Sequence, residues 1–164
     1  MRNHDSRPGS GFGMGFTLVE TLVCMAILGI LAAVAYPMFL AYLSDIRASV
    51  AISDLKNLEG EITLYIAEYG HPPDSLADIG QDTLRDPWGN PYQYLRLEGN
   101  TTPGINGKRR KDKKLNPVNT DFDLYSNGPD GKTAAQFAAK HARDDVVRAN
   151  NGRYFGLAAD HIPL

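Results

Sequence analysis

Residues 11–43 read GFGMGFTLVETLVCMAILGILAAVAYPMFLAYL, and the fold is decided by how this run is understood. Between Arg7 and Asp45 it carries one formal charge, Glu20, and from Thr21 to Ser44 there is none. About 20 apolar residues suffice for a helix to cross a bilayer. The run is therefore a membrane anchor, and the rest of the chain is attached to it. Glu20 is the unusual residue. A lone carboxylate costs about 2.5–3.5 kcal/mol at the centre of a membrane helix, and less near an end. No cation lies within helical reach of it inside the run. It is either wet at headgroup level, or paired with another chain or with a positive charge created by cleavage nearby.

Three readings of the run compete. Ala33-Val34-Ala35 supplies the small-residue site of a secretory signal peptide. But the apolar run continues through Met38, Phe39, Leu40 and Leu43, and a signal core has no place for Glu20. A plain single-span anchor explains the length and leaves Glu20 unexplained. The third reading explains both. Gly15-Phe16-Thr17-Leu18-Val19-Glu20 resembles the processing motif of type IV pilins and type II secretion pseudopilins. The resemblance implies a prepilin peptidase that cuts after Gly15 and methylates the new amino group of Phe16. It makes residues 1–15 a leader on the cytoplasmic side. The leader's Arg2 and Arg7 against Asp5 agree with positive-inside orientation. The remainder then lies beyond the inner membrane. Cutting creates a cation, since an α-amino group has a pKa of about 7.7–8.0. In the family the glutamate pairs with the amine of a neighbouring subunit, so Glu20 is satisfied by filament assembly.

Composition narrows the rest. Seventeen Lys and Arg stand against nineteen Asp and Glu, a net charge of −2, and nothing global points to nucleic acid. The single cysteine, Cys24, sits in the apolar run and excludes an intramolecular disulfide. Many pilins of external fibres carry such a disulfide, whereas type II secretion pseudopilins often lack one. Beyond Ser44 the pattern turns amphipathic. Ile46, Val50, Leu55, Leu58, Ile62, Tyr65, Ile66 and Tyr69 recur mostly at steps of three and four. Gly70 and Pro72-Pro73 end the pattern. The spacing predicts one helix over 16–69, about 80 Å long, kinked at Pro37.

Residues 71–86 connect, with a short helical turn expected over 74–79. Asp86-Pro87-Trp88-Gly89-Asn90-Pro91-Tyr92 then marks a turn before an aromatic strand. The expected role of Trp88 is a buried pin for that turn, the alternative being a ligand-stacking ring. This stretch closely resembles the DPWGNPY segment of the type II secretion major pseudopilins. Strands are expected over 92–97 and 120–126, the second with Phe122 and Leu124 on one face and Asp121, Asp123 and Tyr125 on the other. The basic run Gly107 to Lys114 between them reads as a solvated hairpin tip. The alternative is a patch for anionic lipid or nucleic acid, which lacks interleaved aromatics here.

Ser126-Asn127-Gly128-Pro129-Asp130-Gly131-Lys132-Thr133 comes close to a phosphate-binding loop. It lacks the first glycine, and Asp130 puts negative charge where phosphates would sit. A cation suits it better, because turn backbone with Asp130 and the later Asp144-Asp145 offers hard oxygen ligands. DLYSNGPDGK resembles the pseudopilin segment that opens a calcium site. The resemblance implies carbonyls from Asn127 and Lys132 and carboxylates from Asp130, Asp144 and Asp145. The alanine-rich insert Thr133 to Arg143, with helical character, lengthens the family spacing between the two halves. His141 has no second His or Cys near it in sequence, a weak case for a transition metal. No nucleophile–base constellation is present, and the chain is not read as an enzyme.

The expected architecture is α+β in the pilin manner. Its parts are a leader (1–15), a transmembrane and filament-core helix (16–43), an amphipathic spine (44–70), and a small periplasmic domain with an antiparallel sheet and a calcium loop (71–164). The resemblance implies a structural subunit of a periplasmic pseudopilus that moves folded proteins outward. Its implied partners are like subunits, minor pseudopilins, the prepilin peptidase, and the inner-membrane assembly platform with its ATPase. Two alternatives stand beside it: a type IV pilin of a surface fibre, for adhesion, motility or DNA uptake, and a secreted binding domain with a conventional signal peptide.

Overall fold

The computed structural model describes residues 15–162, so the expected leader, apart from Gly15, lies outside the described residues. The chain divides into two units, Met1–Ala41 and Tyr42–Leu164, described here one at a time. Helix α1 spans Leu18–Tyr69, two residues shorter at its start than the spacing predicts, and contains Pro37. In the first unit, the described residues 15–41 are all exposed. The large apolar side chains Leu18, Met25, Ile30, Leu31 and Val34 each leave at least 60% of their surface uncovered. A helix apolar all round, with no protein against it, belongs in lipid or among other helices. α1 is long and apolar enough to cross a membrane.

In the second unit the same helix has a buried stripe. Ala51, Leu55, Leu58 and Ile62 follow steps of four, three and four and are essentially inaccessible. The pattern predicts Ile46 and Val50 on this stripe, but both remain exposed, and Ala51 opens it instead. Gly70, with φ +79°, ends the helix in the left-handed conformation that glycine adopts without strain. The expected turn after it is a short 3-10 segment, Leu76–Ile79.

Among the described residues four strands follow: β1 (Gln93–Arg96), β2 (Phe122–Ser126), β3 (Val146–Ala149) and β4 (Tyr154–Leu157). They form one antiparallel sheet in chain order. Tyr94 sits opposite Leu124, Tyr125 opposite Val147, and Arg148 opposite Phe155. The alternation of β2 holds. Phe122 and Leu124 join Val146 and the α1 stripe in one core. The other face is not open, however. Val118, Phe137, Val147, Ala149 and Ala158 make a second core there, with Tyr125 and Tyr154 against it. The sheet is thus covered on both sides.

Two expectations change here. The basic run 107–114 is not a solvated tip. Lys108, Lys113 and Lys114 are exposed, but Arg110 and Asp112 are buried. The insert 133–143 is not an α-helix. It is irregular apart from a 3-10 turn, Lys140–Ala142, and Phe137 within it is fully buried. The two segments pack on each other: Lys111 N–H donates to the Ala135 carbonyl (2.8 Å), and Phe137 N–H to the Lys111 carbonyl (2.9 Å). Each covers surface that neither could hide alone.

Candidate functional site

At the start of α1, Glu20 Oε2 accepts the backbone N–H and the hydroxyl of Thr17, both at 2.8 Å. In return, Glu20 N–H donates to Thr17 Oγ1 at 3.3 Å. Thr17-Leu18-Val19-Glu20 is therefore a capping box, with Thr17 as N-cap and Glu20 three residues inside the helix. The box meets donors that a helix start leaves unpaired, and the positive end of the helix dipole favours the carboxylate. This partner is neutral, and the T-x-x-E spacing displays it in the sequence. Gly15 and Phe16 are exposed, Phe16 at 79%. The bond expected to be cut is accessible.

The second site is the loop after β2. Its anchor is Asp86, in the turn before β1. Asp86 Oδ1 accepts the N–H groups of Trp88 (3.0 Å) and Asn90 (2.8 Å), while Oδ2 accepts the Ser126 hydroxyl at 2.5 Å. Asn90 Nδ2 donates across to the Gly128 carbonyl (3.1 Å). The two motifs flagged in the sequence, DPWGNPY and DLYSNGPDGK, are thus one hydrogen-bonded unit. Trp88 is only half-buried. The pin of the turn is the 4%-exposed Asp86 carboxylate, not the tryptophan ring.

The insert does not hold the two halves of the loop apart. Asp130 N–H points to Asp144 Oδ2 at 3.4 Å, and a β-carbon on Gly128 would lie 2.3 Å from the Asp144 carbonyl oxygen. Asp130 Oδ1 accepts Lys132 N–H (2.7 Å), and its Oδ2 meets His141 Nδ1 (3.2 Å). The Lys132 N–H and then His141 hold the Asp130 carboxyl below its ordinary pKa. Asp145 is engaged elsewhere. Its Oδ2 accepts from the Arg110 guanidinium and from the Thr133 hydroxyl (2.6 Å). Burial pushes its carboxyl up, to about 6, and Arg110 and Thr133 pull against that rise.

Arg110 is 2% exposed. One guanidinium nitrogen contacts Asp145, and the other contacts the Thr133 hydroxyl and the Ala134 carbonyl (2.7 Å). Its planar group lies 4.2 Å from the Tyr125 ring centre and 5.3 Å from that of Phe137. Its backbone N–H donates to Asp123 Oδ2 (2.7 Å). Nothing in the sequence distinguishes Arg110 from its basic neighbours.

Among the described residues, Asn127 Oδ1 and Asp145 Oδ1 are buried without a protein partner, which is the opening an ion would use. Against it, calcium takes six to eight oxygens. Among the described residues no three His, Cys, Asp or Glu side chains converge to share an ion. As arranged, Asp130 is held by Lys132 N–H and His141, and Asp145 by Arg110 and Thr133, so together with Asn127, Lys132 and Asp144 they do not fit a calcium ion without displacing those partners.

Residues 15–36 match the prokaryotic N-terminal methylation motif, which begins at the glycine before the expected cut. The chain is 32% identical over 139 residues to type II secretion system core protein G of Pseudomonas aeruginosa, covering 72% of this chain and 84% of that protein. It belongs to the type II secretion core protein G family. The core protein G of Aeromonas hydrophila is 29% identical with the same coverage. The type IV major pilin protein PilE of Neisseria gonorrhoeae is 26% identical over 153 residues, covering 91% of this chain and 90% of that pilin. No solved structure matches. As a core protein G, the chain is a structural pseudopilus subunit with the α+β pilin fold. Its relatives are structural, pilin-like proteins, not enzymes.

Proposed function

We propose that this subunit is cut between Gly15 and Phe16 by a prepilin peptidase, methylated on the Phe16 amine, and held in the inner membrane by residues 16–43 with its C-terminal domain in the periplasm. From there it polymerises with like subunits and minor pseudopilins, on an inner-membrane platform driven by an ATPase, into a filament that exports proteins. The observation that carries this is the helical segment 18–41, apolar, wholly exposed, and charged only at Glu20. Such a surface has to be covered by lipid first and by neighbouring helices afterwards. In the filament Glu20 pairs with the Phe16 amine of a neighbour.

The capping box favours a second role, in which Glu20 only closes its own helix. Two substitutions separate the roles. Glu20→Gln keeps a box acceptor, since Gln serves there as well as Glu, but it removes the charge. Glu20→Ala removes both. We expect both variants to be processed normally, to give methylated Phe16 by mass spectrometry, and to yield few sheared filaments. Wild-type filament yield from Glu20→Gln would assign Glu20 to the cap alone. Normal-sized mature protein from Gly15→Leu would overturn the cleavage site. A surface fibre is the alternative that the likeness to PilE keeps in view. Fibres on intact cells, with unchanged export, would favour it.

A further inference from the structure

We propose that the C-terminal loop of this subunit carries its own cation, the guanidinium of Arg110, where a divalent ion would otherwise neutralise Asp145. Asp145 has no solvent exposure. A carboxylate in that position has to be compensated. Arg110 does so with a guanidinium fork that also meets the Thr133 hydroxyl and the Ala134 carbonyl.

The arrangement is built and not incidental. Arg110 reaches Asp145 because the β1–β2 connection folds back under the sheet. It is held there by the paired hydrogen bonds between Lys111 and the insert, and by its own N–H on Asp123. The Tyr125 and Phe137 rings cover the guanidinium face. The insert supplies Thr133, Ala134 and Phe137. The basic run and the insert therefore form one device, and each accounts for the other. The ends of the loop are joined by protein contacts, at Asn90 to Gly128 and at Asp130 to Asp144. An ion at Asp145 would have to displace the guanidinium or share a carboxylate with a like charge, which repels it. The consequence is a subunit whose fold, and hence its supply to the filament, does not respond to calcium.

The test is thermal melting of the full-length mature protein in detergent micelles, in millimolar calcium and in chelator. Coincident melting curves are expected. Arg110→Gln is expected to lower the midpoint by about 10 °C, and Asp145→Asn added to it is expected to recover most of that loss. Lys108→Gln, an exposed neighbour in the same run, is the control and is expected to leave the midpoint in place. If Arg110→Gln does not fold, Arg110→Lys replaces it, with a smaller loss and still no calcium response expected. A calcium-dependent rise in the wild-type midpoint that Asp145→Asn abolishes would overturn the proposal. So would an Arg110→Gln loss no larger than that of Lys108→Gln. The melt reports on the folded domain and not on filaments, so failure here leaves the assembly reading intact.

Discussion

On the face of the sheet that meets α1, Phe122, Leu124 and Val146 close on Leu55, Leu58 and Ile62, and a charged side chain enters. This is Arg148, bound to Glu59 on the helix (2.8 Å) and to Asp121 (2.6 Å), with its guanidinium 3.9 Å from the Phe122 ring centre. On the opposite face, Val147, Ala149 and Phe137 share the interior with Arg110, Asp123, Asn119 and Asp145, all at most 2% exposed. The first face is covered by a regular element with a periodic apolar stripe. The second is covered by two irregular segments, which must satisfy their own backbone groups as well as hide side chains. Irregular cover therefore brings buried polar groups with it, and they have to be paired.

The largest test of this contrast is truncation of one aromatic on each side. Phe122→Ala should cost about 4 kcal/mol, measured by denaturant unfolding of the detergent-solubilised chain. Phe137→Ala should cost nearly as much, because it too is fully buried. A cost below about 0.5 kcal/mol, the range of an exposed residue, would mean that the second face is only a draped loop.

Next comes the ion pair on the helix face. Arg148→Met should cost about 3 kcal/mol, leaving the Glu59 and Asp121 carboxylates without their partner. Glu59→Gln in the same chain should recover part of this. Additive losses would show that Arg148 works through packing on Phe122 alone.

A smaller effect probes how tightly the loop closes. Gly128 has φ +64°, and a β-carbon there would meet a backbone oxygen at 2.3 Å. Gly128→Ala should cost about 2 kcal/mol. A neutral result would show that the Asn127–Asp144 region yields without cost.

The smallest effect is a pH slope on the second face. His161 is 2% exposed and stands edge-on to Phe137 and Tyr154, with ring centres 5.3 and 5.1 Å away. Burial lowers its pKa. Below about pH 6.5 the unfolded chain therefore takes up a proton that the folded chain resists. This part of the stability is complete above that pH and is lost as pH falls, by at most about 1.4 kcal/mol per pH unit. Asp145, with its raised pKa, acts in the opposite direction in the same window. Comparison with His161→Phe isolates the histidine: the variant should lose less stability than wild type between pH 7 and pH 5. Parallel curves would show that His161 is protonated without cost.

Legibility followed the same division. The anchor, the spine, the turn at Gly89 and the faces of β2 were readable, because each is a local period or a local breaker. The hairpin of β3 and β4 was also written locally: Asn150, Asn151 and Gly152 all have positive φ between two apolar runs. Asp144-Asp145 just before it carries the stronger local signal, that of oxygen ligands, and masks the hairpin. The T-x-x-E cap is masked in the same way, since a lone charge in an apolar run points first to an opposite charge.

By itself, then, the sequence determined the membrane-length helix, the processing motif, the family and the α1-facing core, all of which depend on spacing along the chain. Only the tertiary structure decided that Arg110 lies under the sheet while Lys108 stays in water, that Asp86 binds two motifs together, and that Asp145 faces a guanidinium. Those outcomes depend on which distant segments meet, and a charged residue gives no local sign of the partner it will find.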